Sequence, residues 1–83
     1  MFYMRGIDDL SQLERDILVW LLLDGASAPK PIGEEVDAHR NSISRSLSSL
    51  ADDRLVVDKG SGVWTLTCEG FTAARLIYRE RRD

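Results

Sequence analysis

Ile43, Leu47 and Leu50 stand at i, i+4 and i+7, and no other residue between 41 and 50 is apolar. On a helix this spacing makes one narrow apolar stripe. At about 100° per residue, Asn41, Arg45, Ser48 and Ser44 fall on the opposite side. A helix of this kind over about 40–52 owes its stability to a core under the stripe, because propensity alone does not hold so short a helix. Two short runs rich in β-branched residues follow, 55–59 and 63–67, joined by Gly60-Ser61-Gly62. They read as a β-hairpin, with Trp64 and Leu66 turned to the core and Val63, Thr65 and Thr67 turned outward.

Helical patterns flank this centre. Ser11-Gln12-Leu13-Glu14 is a capping box, in which the serine oxygen takes an orphan N–H and Glu14 reaches back. The helix it opens extends to about Leu23, and Gly25 supplies a C-terminal stop. Leu13, Ile17, Trp20 and Leu21 share one face, while Val19, Leu22 and Leu23 add apolar surface elsewhere, so burial on two sides is expected. Residues 26–29 read as a loop. Pro31 suits the first turn of a short helix over about 31–36, with Ile32 and Val36 inward. Gly33 within it costs about 1 kcal/mol relative to alanine, which close approach to the 40–52 helix would explain. Asp37 and Ala38 form the turn between the two. Thr67 can cap a last helix over about 68–83. That helix has two apolar sides, one with Phe71, Ala74 and Tyr78, the other with Ala73, Leu76 and Ile77.

At 83 residues the chain has room for one domain, with residues 1–10 as an N-terminal arm anchored by Phe2, Tyr3 and Met4. A core of this size is marginal alone, so a second subunit is expected. The second apolar side of the last helix, with Leu22, Leu23, Ala73, Leu76 and Ile77, is assigned to a homodimer interface. Cover by loops or by the arm is the alternative. Cys68 is the one cysteine, and His39 the one histidine, so neither a disulfide within the chain nor a metal centre is expected. No phosphate-binding glycine loop or nucleophile motif is present; the expectation is a protein that is no enzyme and takes no cofactor or small-molecule substrate. The longest apolar run, 17–23, is far short of the roughly 20 residues that span a bilayer. With no signal-peptide pattern, a cytoplasmic protein without membrane contact is expected.

The formal charge of -3 speaks against an anionic partner, but its distribution does not. Residues 1–37 hold eight acids and three bases, a net of -5. Residues 38–51 hold two arginines and no acid. A solvated helix face usually mixes both signs, so an acid-free stretch in an acidic chain marks a place for an anion. Order and spacing then resemble a helix-turn-helix followed by a hairpin, with the 40–52 helix placed to enter the major groove of double-stranded DNA. Arg45 can donate two parallel hydrogen bonds to guanine, and Asn41 can pair with adenine. Ser42, Ser44 and Ser48 are small donors that let the helix come close. Arg40, in the first turn, suits a phosphate, and Lys59 and Ser61 at the hairpin reach a neighbouring backbone or minor groove. His39 sits at the helix cap, where it either contacts phosphate or has no role. Stacking of Trp64 on a base or sugar is the alternative to its core role.

The stretch from Asp37 to Val56, with Arg40, Ile43, Ser44, Arg45, Leu47, Leu50, Leu55 and Val56, followed by Trp64-Thr65-Leu66-Thr67 and Gly70, resembles winged helix-turn-helix repressors. It is most similar to small repressor-like proteins of haloarchaea and their viruses, and more distantly to the MarR and ArsR groups. Asp8 and Asp9 also fit the haloarchaeal type. The resemblance implies an α+β, mainly α fold: a three-helix core, a two-stranded β-hairpin wing and a C-terminal helix. It also implies DNA binding; a sequence-specific dimeric repressor on a palindromic site, which blocks polymerase sterically, is the expectation. Two positions depart from the pattern. Arg54 stands where glycine usually precedes Leu-Val and ends the helix in a left-handed conformation, which strains an L-residue by about 1–2 kcal/mol. His39 stands where Ser or Asp usually caps. The rival reading is a winged-helix module that binds protein and not DNA, or binds a host regulator through the last helix.

Overall fold

The computed structural model describes residues 9–27, 40–60 and 62–82. Within them the order is α1 (Gln12–Asp24), β1 (Ala26–Ser27), α2 (Arg40–Asp52), β2 (Val56–Asp58), β3 (Trp64–Leu66) and α3 (Cys68–Arg82). The arm 1–8, the short helix expected over 31–36, the turn at 37–38, His39 and Ser61 lie outside the described residues.

The start of α1 forms as its sequence demands. Glu14 N–H donates to Ser11 Oγ at 3.1 Å, and Ser11 N–H donates to Glu14 Oε1 at 2.9 Å. The reciprocal pair satisfies two orphan donors and accounts for an otherwise costly buried carboxylate, Glu14. Gly25 ends the helix with φ 100°, and its N–H donates to Leu21 O at 2.8 Å.

The core is built on α1, which packs against both α2 and α3. Ile17, Leu18 and Leu21 meet Ile43, Leu47 and Leu50, all six essentially solvent-free. The narrow stripe of α2 is therefore buried along its whole length. Leu55 and Val56 close the core beneath the hairpin, and Trp64 and Leu66 pack against it half-buried. The hairpin forms as expected. Lys59 N–H donates to Val63 O at 2.8 Å, and Gly60 and Gly62 take φ of 96° and 77°, the left-handed region that glycine enters freely.

Two expectations are corrected. Residues 26–27, read as loop, form β1, and the antiparallel sheet has the order β1-β3-β2 with Ser27 opposite Trp64. A two-residue strand is too short to show a period in sequence. The second correction concerns α3. Its inner side is Gly70, Ala73, Ala74 and Ile77, at i, i+3, i+4 and i+7, all buried. Ala73 and Ile77 thus belong to the chain's own core and not to a free interface, while Phe71, expected inside, is 49% exposed. The cause is Gly70. A Cβ there would lie 1.7 Å from Leu55 O, so the helix meets the Leu55 backbone at this residue and turns the Gly70 line inward.

Candidate nucleic-acid interface

The stripe of α2 fixes what its other side presents. With Ile43, Leu47 and Leu50 in the core, Asn41, Arg45 and Ser48 are exposed, while Ser42 and Ser44 lie half-buried on the flanks. Ser49 is exposed beside them and belongs to the same surface, although the sequence reading passed over it. The signal was available, since Ser49 lies only 40° of helix rotation from Arg45. Arg40 begins the helix, and its side chain lies outside the described residues. Among the described residues Arg45 makes no ion pair, so its guanidinium is available to a ligand. Asp52, in the last turn of α2, is exposed and carries the first acid on this side, which confines an anion to the first three turns.

Three devices fix the far end of α2. Arg54 N–H donates to Ala51 O at 3.0 Å and Leu55 N–H donates to Leu50 O at 2.9 Å. This is the paired closure of a helix end in which the residue between takes a left-handed conformation. Arg54 does so, with φ 63°, where glycine would sit without strain. The departure noted in the sequence is therefore a strained residue within an ordinary helix stop. Leu55 and Leu50 are both buried, which adds the apolar contact usual to this closure.

The hairpin offers a second contact. Lys59 is exposed at its tip and has no ion pair among the described residues. Asp58 Oδ1 accepts from Gly60 N–H at 2.7 Å, which shapes the turn and occupies one carboxylate oxygen. Ser61 lies outside the described residues. Trp64 packs half-buried against the core, in the middle strand, as its core role requires.

No protein-family model matches the sequence, and no curated protein does. Solved structures do. Ligand-free NadR superposes with a TM-score of 0.80 at 21% identity, over 90% of this chain and 57% of that one. A single-site variant of ZitR from Lactococcus lactis gives 0.82 at 16% identity, over 99% of this chain and 60% of that one. A double variant of ZitR in its apo form gives 0.78 at 17%, over 90% and 61%. The chain has the winged-helix fold. The matched structures are winged-helix transcription regulators, and the chain spans about three fifths of their length. In winged-helix nomenclature α2 occupies the recognition-helix position and β2–β3 the wing position. Among the described residues no helix is long and apolar enough to cross a membrane.

Proposed function

We propose that the chain is a sequence-specific double-stranded DNA-binding transcription regulator, acting in the cytoplasm as a dimeric repressor. The observation that carries this reading is the exposed side of α2: Asn41, Arg45, Ser48 and Ser49, with no acid until Asp52. A protein-docking module of the same fold would be expected to present apolar or mixed-charge side chains there. The serine and arginine surface is matched to base edges and phosphates, which accept hydrogen bonds.

Arg45 reads a guanine and Asn41 an adenine in the major groove. Arg40 and Lys59 hold phosphates, and Ser42, Ser44 and Ser48 permit close approach, with Ser61 at the wing. A dimer places two copies of α2 in successive major grooves, about 34 Å apart, on a palindromic site. Its contact surface uses the apolar residues the fold leaves outside: Leu23 at 61% exposure, Leu76 at 44%, and the half-exposed Leu22. Phe71 extends the exposed apolar surface of α3. Bound at a promoter, such a dimer excludes polymerase sterically, and no cofactor is required.

A gel-shift titration against fragments upstream of the chain's own gene, with competitor DNA, tests the reading. Saturable, competitor-resistant binding that Arg45→Ala weakens by about 1–3 kcal/mol is the expected result. Failure to shift any fragment across a range of salt would return the weight to a protein-binding module.

A further inference from the structure

One residue ties the end of the recognition helix to the start of α3, and it touches no DNA in the proposed reading. Thr67 makes four hydrogen bonds. Its hydroxyl donates to Arg54 O at 2.6 Å, just beyond the end of α2. The same oxygen accepts from Gly70 N–H at 3.0 Å, capping α3. Its backbone N–H donates to Leu55 O at 3.1 Å, and its carbonyl accepts from Phe71 N–H at 2.8 Å. Beside it Gly70 rests on the Leu55 backbone with no space for a methyl group. The end of α2, the end of β3 and the first turn of α3 thus meet in one joint with no slack.

We infer that Thr67 is a positioning residue for DNA reading: its hydroxyl sets the direction in which α2 leaves the joint, and through it the placement of Arg45 and Asn41 on base edges. The inference rests on the DNA-binding reading above. The stripe of Ile43, Leu47 and Leu50 holds α2 down on the core but is one side chain wide. The joint adds a second restraint on the direction of the helix axis, at its far end. At 1.5 Å per residue Arg45 lies about 13 Å from Arg54, and Asn41 about 20 Å. A tilt of about 5° at the joint would move Arg45 by about 1.2 Å and Asn41 by about 1.7 Å. Both displacements exceed the roughly 0.5 Å tolerance of a preorganised binding group. Paired hydrogen bonds to a base fail at such an offset. Phosphate contacts made by long, flexible cations follow it. Loosening the joint should therefore cost specificity while leaving general attraction to DNA in place.

The test compares Thr67→Val, which keeps the shape and loses the hydroxyl, with Thr67→Ser, which keeps the hydroxyl. Wild-type protein first selects a duplex from a random library. Each variant is then titrated against that duplex and a scrambled duplex of the same composition, with its folded fraction fixed by circular dichroism. If Thr67→Val is incompletely folded, the titrations are repeated in sucrose, which favours the compact state. The expected result is a loss of about tenfold or more on the selected duplex for Thr67→Val, no change on the scrambled one, and recovery in Thr67→Ser. Equal affinity of Thr67→Val and wild type for the selected duplex would overturn the inference. So would a parallel loss on both duplexes, which marks general damage to the surface. Failure of the wild type itself to select any duplex would remove the DNA-binding reading, and the inference with it.

Discussion

Gly70→Ala is the substitution on which the fold most directly depends. The added Cβ would sit 1.7 Å from Leu55 O and 2.7 Å from Leu55 C, both backbone atoms that no rotamer change can move. Restoring an ordinary contact requires α3 and Leu55 to separate by more than 1 Å, on the order of a full overpacking defect of about 1–3 kcal/mol. Separation also strains the bonds from Thr67 N–H to Leu55 O and from Thr67 Oγ1 to Arg54 O, about 1 kcal/mol each. Against this, alanine gains about 1 kcal/mol over glycine in a helix. The net loss expected is about 2–4 kcal/mol, a large share of the roughly 4–12 kcal/mol usual for a chain of this length. At about 6 °C per kcal/mol for a domain of this size, the melting temperature should fall by roughly 10–25 °C. Thermal unfolding followed by far-ultraviolet circular dichroism, at one fixed protein concentration, measures it. Thr72→Ala, at an exposed position two residues on, serves as the control and should change stability by no more than about 0.5 kcal/mol. If Gly70→Ala melts at or above the wild-type temperature, the close approach of α3 to Leu55 is wrong, and with it the explanation of why Ala73 and Ile77 face inward.

Four further outcomes follow from the same geometry. Arg54→Gly should raise stability by up to about 1 kcal/mol, because release of the left-handed strain outweighs the added chain entropy; a urea midpoint raised at unchanged slope would show it. Arg45→Ala should cost about 1–3 kcal/mol on a selected site and relax preference at one base position, read by binding to single-base variants of that site. Lys59→Ala should weaken all duplexes alike and lower the slope of log affinity against log salt by about 1, whereas Arg45→Ala should leave that slope nearly unchanged. On the proposed dimeric reading, Leu76→Glu should lower the mass found in sedimentation analysis from dimer to monomer without lowering the folded fraction, since Leu76 is 44% exposed.

Sequence reading succeeded where one residue type forces one geometry. The capping box of Ser11 and Glu14, the Thr67 cap and the glycine turn of the hairpin each have a local physical cause, and each is present. The stripe of Ile43, Leu47 and Leu50 placed Asn41, Arg45 and Ser48 outside by elimination. The misfit at Arg54 is legible too, since a left-handed helix stop strains any L-residue and its φ is 63°. The reading of α3 failed for a different reason. Its tightest contact runs through glycine and alanine, whose small side chains give a weak apolar signal, while the bulk of Phe71 gives a strong one on a side that is exposed. Strand β1 was missed because two residues carry no periodicity, and its pairing comes from the distant β3.

The stripe of α2 has a consequence for how such a protein can change. The residues that hold the helix to the body and those that face outward are separate sets. Ile43, Leu47 and Leu50 are wholly enclosed, whereas Arg45, Ser48 and Ser49 stand in solvent. Exchanges at the outer positions leave stability within about 0.5 kcal/mol. The outer face can therefore change without renegotiating the fold, and a library randomised at those three positions should yield folded proteins with many different surfaces from a single scaffold.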